Sequence, residues 1–162
     1  MNGIEQFFEP WQSAYGDSAF LPTAVTAVHL IGMLVAGGLA IAADRATLRV
    51  TGEVEGERER HLGELNAIHR PVLIGLGVLI ASGLAMVAAD IVTFLGSPVY
   101  WVKMGLVVLL VFNGVVLERT ETSLRTGKAS AGEWKKLRLS AITSVLLWIA
   151  TLVTGVVLTS AA

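Results

Sequence analysis

Five residues able to act as ligands or charges sit in apolar surroundings: His29, Met33, Met86, Asp90 and Lys103. A neutral imidazole binds haem iron or copper well, and a thioether suits haem iron and Cu(I). Met33 follows His29 by four residues, one turn along the same helical face. Asp90 follows Met86 by the same interval. Ionisable groups inside membrane-length apolar runs are functional candidates by default, because burying them there is costly.

Four apolar segments must position these residues: 21–43, 71–93, 98–117 and 139–159. Each is close to the ~20 residues needed to cross a hydrocarbon core. In lipid each has to be a helix, because the backbone must satisfy its own hydrogen bonds. The rest of the composition agrees. Of 162 residues, 54% are hydrophobic and only 15% charged, against roughly a quarter charged in soluble domains. A net charge of −1 gives no field favouring nucleic acid. The absence of cysteine removes disulfides, thiolate metal sites and cysteine catalysis.

The charges predict an orientation. The stretch 44–70 holds Arg45, Arg49, Arg58, Arg60 and Arg70, and 118–138 holds Arg119, Arg125, Lys128, Lys135, Lys136 and Arg138. Only Lys103 lies elsewhere. By the positive-inside rule both loops are cytoplasmic and both termini outside. The expected fold is a single all-α membrane domain, an antiparallel four-helix bundle in a bacterial-type inner (plasma) membrane. The first apolar run follows Glu5, Glu9 and Asp17, unlike the basic start of a secretory signal. Residues 1–20 place Ile4, Phe7, Phe8 and Trp11 on one helical face, which predicts a short interfacial helix interrupted at Pro10. Gly127–Gly132 is the expected turn of the second loop, and Trp134 an anchor at the membrane surface.

Helix rise then ranks the candidates by depth. His29 and Met86 are each about 12 Å below the outer surface and Lys103 roughly 7–8 Å. His69 differs from His29 by about 20 Å, so the two cannot bind one haem. Lys103 either snorkels outward, pairs with Asp90 or contacts a ligand. Gly32, Gly37, Gly38, Gly75, Gly77 and Gly83 leave room for a flat macrocycle or for close helix contacts. His61 and His69, with Glu57 and Glu64 nearby, form either a divalent-ion site or a solvated charged face. Asn113 is expected to bond across helices and Trp148 to pack.

Three stretches carry a family resemblance. Ala27-Val-His29 followed by Val35-Ala-Gly-Gly-Leu39 is similar to the first helix of HemJ-type membrane proteins and of copper-resistance-protein-D-like domains. Glu64-Leu-Asn-Ala-Ile-His-Arg-Pro71 resembles their proline entry into helix two. Pro98-Val-Tyr-Trp101-Val-Lys103 resembles the aromatic-x-Lys start of their third helix. The resemblance spans most of residues 23–118. It implies haem b or copper near the outer half of helix one, with His29 as ligand and Lys103 as the helix-three lysine. HemJ-type proteins carry a further histidine late in helix three, where this chain has Asn113-Gly114, which argues against protoporphyrinogen oxidation.

The first functional expectation is a haem-b protein with a redox or electron-transfer role, bound through His29 with Met86, Lys103 or Met33 nearby. The second is an accessory subunit of a larger membrane redox complex, or a homo-oligomer. The third is copper handling at His29. No nucleophile–base set or phosphate loop is present, so the residues leave open whether any reaction is catalysed.

Overall fold

A computed structural model describes residues 3–50, 56–127 and 132–161. Within these residues the chain is helical throughout: α1 (Gly3–Asp17), α2 (Phe20–Arg49), α3 (Glu57–Ala89), α4 (Ile91–Gly96), α5 (Pro98–Arg125) and α6 (Glu133–Ala161). Four of them, α2, α3, α5 and α6, are long and apolar enough to cross a membrane, with mean hydropathy of 2.0 to 2.4. At ~1.5 Å per residue the shortest is about 42 Å long, more than the ~30 Å hydrocarbon core. Helical structure therefore extends past most of the expected spans and into the polar segments between them.

The surface explains why such helices need lipid. Leu34 is 74% exposed and Phe112 67%, while Asp44, Thr47, His61 and Glu121 are buried. Apolar groups face outward and polar groups inward, the reverse of a water-soluble core. The chain is a multi-pass, all-helical membrane protein.

α2 lies along α3, and α5 along α6. Contacts between α2 and α6 join the two pairs, while α3 and α5 barely touch. Small residues set the closest approach. A Cβ built on Gly75 would stand 3.0 Å from both the Cβ and the backbone N of Ala36. One on Gly37 would meet the Trp148 ring at 3.1 Å, and one on Gly32 would meet Val78 at 3.2 Å. Where no water drives helices together, such close contact supplies the dispersion energy. Gly32, Gly37 and Gly75 are thus contact points rather than space for a cofactor. Gly38 and Gly77 face open space.

Two apolar clusters fill the interior. Ala36, Leu110 and Trp148 form one, so Trp148 packs as expected. Leu62, Leu65 and Leu137 form the other, flanked by Leu117, Leu124 and Trp134. The second cluster marks the end of the bundle that carries the basic segments, called here the basic end. Trp134 packs there against Leu137 and its neighbours, with its ring under the Arg58 guanidinium carbon at 5.0 Å, so it is a tertiary contact. Leu137 is fully buried. Leu137→Ala is expected to cost about 2–5 kcal/mol through lost contacts and the cavity left behind. Reversible unfolding in mixed micelles would measure this, and an unchanged midpoint would contradict the packing described.

Three sequence expectations change. The stretch 71–93 is not one helix. α3 stops at Ala89, Asp90 takes φ −144° and ψ 66°, and its carboxylate accepts a bond from the Thr93 N–H at 3.2 Å to start α4. The cap makes residues 91–96 helical, and the turn into α5 is shorter than expected. Pro10 does not interrupt α1. Proline removes one backbone bond, here to the carbonyl of exposed Gln6, where solvent can replace it. α1 also docks on the bundle: Trp11 Nε1 donates to the Ala85 carbonyl at 2.9 Å and Gln12 Nε2 to that of Ala88 at 3.3 Å. The Gly127–Gly132 turn falls partly outside the described residues. Its first residue, Gly127, takes φ +69°, the left-handed geometry that lets a chain leave a helix.

Candidate functional site

The partners of α2 and α3 define a register. His29 meets Ser82, Gly32 meets Val78, Ala36 meets Gly75, and Thr47 meets His61. His29 therefore lies level with Ser82 and Gly83 on α3. Its Nδ1 is 2.9 Å from the Ser82 hydroxyl oxygen. That hydroxyl points its own proton at the Val78 carbonyl, 2.6 Å away. The remaining bond therefore runs from Nδ1–H to the serine oxygen, and Nε2 keeps its lone pair. Metal-binding histidines are commonly held this way, with one ring nitrogen donating to an orienting partner. A Cβ on Gly83 would be 3.5 Å from His29 Cε1, an ordinary van der Waals contact, so α3 packs closely beside the ring.

Lys103 on α5 completes the group. Its ammonium lies close enough to His29 to act on it electrostatically. A Cβ on Gly155 of α6 would be 3.5 Å from Lys103 Nζ, so the lysine reaches across the interior. Asp90 is engaged in capping α4. Among the described residues no carboxylate lies within ion-pair distance of Lys103. All four long helices thus contribute to one interior site: His29, Ser82 with Gly83, Lys103 and Gly155.

The two methionines lie on either side of this level. Met33 is one turn, ~6 Å, from His29 toward Ala36. Met86 is one turn from Ser82 in the other direction, so it is not level with His29 as depth counting predicts. Counting back from Phe94 fails because α3 ends at Ala89. Both methionines are half-buried. Ser82 and Gly155 are participants that the sequence reading misses; the available signal was a serine inside an apolar helix, which needs an acceptor.

The basic end holds a second polar group. His61 is buried and its Nε2 lies 2.8 Å from Thr47 Oγ1, so it is no solvated face. His69, two turns further along α3, instead faces Glu121 on α5, with Nδ1 3.3 Å from Oε2. The two histidines turn to different neighbours, because eight residues of α-helix leave them about 80° apart. Among the described residues no three His, Cys, Asp or Glu side chains are placed to hold a metal ion. Asn113 Nδ2 donates across helices to the Ser140 carbonyl at 3.0 Å, as expected. Arg138 donates to the carbonyls of Leu48, at 3.0 Å, and Val50, at 3.3 Å, closing the end of α2. Asp44, expected in a loop from the sequence, is buried on α2 and lines one cavity with Ser144 of α6.

Fold and site together define a multi-pass helical membrane protein with a histidine and a lysine in its interior. The chain belongs to DUF6644, described as a family of unknown function, whose model matches residues 10–160. No curated protein and no solved structure matches it.

Proposed function

We propose that this chain is a haem-b-binding redox protein of a bacterial-type inner membrane, with His29 as the axial ligand. The observation that carries the proposal is the imidazole held through Nδ1 at 2.9 Å from the Ser82 hydroxyl, whose own proton is directed at the Val78 carbonyl; the tautomer this favours has its lone pair on Nε2. The donor set suits the group. A neutral imidazole is a proximal ligand for haem iron. Lys103, without a carboxylate partner among the described residues, offers a cation to a propionate. When bound, the haem would supply a one-electron couple at the iron. Ser82 would orient His29 and make its ring more electron-donating, and Lys103 would balance the carboxylates. The residue resemblance to HemJ-type proteins adds to this reading.

The proposed topology is an antiparallel bundle with both termini outside. The register in which residue numbers rise along α2 and fall along α3 supports it, as does the placement of the described basic residues other than Lys103 toward one end. α1 would then lie at the outer surface, docked on the end of α3.

Oxidised and reduced optical spectra of detergent-purified protein test the proposal. A Soret band and a reducible α-band are expected. A colourless preparation from haem-supplemented cells, without a pyridine haemochrome, would sink it. Ser82→Ala probes the orienting bond. Loss of such a partner lowers affinity by roughly 10–100-fold in metal sites. Haem titration of the apo-protein should show weaker binding with His29 still ligated. An affinity equal to wild type would remove Ser82 from the site.

A further inference from the structure

Because α3 and α5 barely touch, a seam opens between the two helix pairs, and a cavity of about 170 Å³ lies along it. Its walls are apolar, with Leu76, Leu110, Val115 and Trp148 among them. Its polar end is formed by Asp44, His69, Glu118 and Ser144. Asp44 is only 4% exposed. Its Oδ2 has no hydrogen-bond partner. A buried carboxylate oxygen left without a partner is expensive, and Asp44 is among the residues that line the cavity.

Size and chemistry limit that occupant. An apolar protein cavity of about 150 Å³ accommodates benzene. The space therefore fits a single ring, with any long apolar tail leaving through the α3–α5 seam into lipid. The polar end offers groups that both accept and, when protonated, donate: two carboxyls, an imidazole and a hydroxyl. A ring whose two oxygens switch between carbonyl and hydroxyl needs such partners, accepting bonds in one form and donating them in the other.

We infer that the seam between α3 and α5 is a binding site for the ring of a membrane quinone or quinol, one of its oxygens toward the polar end that holds Asp44 and His69. As the substrate class of the redox protein, the quinone rests on the haem proposal. The cleft, its apolar walls and its unpartnered carboxylate oxygen do not.

The test uses the full chain in lipid nanodiscs and an azido-substituted short-chain ubiquinone analogue, photo-crosslinked and mapped by peptide mass spectrometry. Label is expected on the segments 65–76 and 110–118, competed by unlabelled analogue in both redox forms. Gly114→Leu fills the cavity from a position where a Cβ meets nothing within 4 Å, so folding is spared. It should cut specific labelling by about tenfold or more, and Asp44→Leu should do the same through the lost acceptor. Label spread over lipid-facing residues such as Leu34 and Phe112, or unchanged in Gly114→Leu, would overturn the site. The readout does not depend on haem. A haem-containing protein without specific labelling loses the quinone site and keeps the haem reading. A haem-free protein with specific labelling does the opposite.

Discussion

Replacing His29 with alanine is expected to abolish the Soret and α-bands while leaving helix content unchanged. The two outcomes separate because of how the ring is held. Ser82 keeps its own proton on the Val78 carbonyl, so removing the imidazole strands no buried donor on α3. The fold loses one half-buried side chain and one hydrogen bond, about 1 kcal/mol. In the haem proposal the iron loses the His29 ligand. Pyridine haemochrome content against circular dichroism would measure both effects on one preparation. Bands of wild-type intensity in His29→Ala would place the ligand elsewhere. Lys103→Met supplies a useful contrast. It removes a cation that is not an iron ligand in this reading, so bands should persist with weaker haem retention.

The second large effect is structural. Gly75→Leu is expected to push α2 away from α3 and to remove haem binding with it. A Cβ at this position would already stand 3.0 Å from the Ala36 backbone N, an atom that cannot move without its helix. Overpacking of this kind costs about 1–3 kcal/mol in soluble cores, and a backbone obstacle places this site at the upper end. The displaced interface also carries the His29–Ser82 bond, so the site fails along with the packing. Gly77→Leu is the control, because nothing lies within 4 Å of its Cβ and the new side chain enters lipid. Unfolding midpoints in mixed micelles should fall for Gly75→Leu and stay for Gly77→Leu. Equal midpoints would refute the close approach of the two helices.

The contrast between these glycines shows where sequence reading stops. Gly32, Gly37, Gly38, Gly75, Gly77 and Gly83 look alike as small residues in apolar runs. Neighbouring helices then assign them different roles. Gly75 admits Ala36, Gly37 admits Trp148, Gly83 flanks His29, and Gly77 faces outward. Histidines behave the same way. His61 and His69 share a polar stretch, yet one is buried against Thr47 and the other faces Glu121.

The apolar segments, their lengths and the clustering of basic residues are properties of the chain itself. Hydrocarbon excludes unpaired backbone and unpaired charge, so four apolar runs of that length dictate four helices whatever their neighbours. His29 stands out for the same reason, as the one histidine far inside such a run. Its partners were not legible. Which serine lies beside it, that Lys103 turns inward to α6, and that Asp44 is buried beside a cleft with one oxygen unpartnered all depend on how helices rotate and approach. Those angles are set by contacts of a few tenths of an ångström between small residues on different helices, a level that one-dimensional periodicity does not reach.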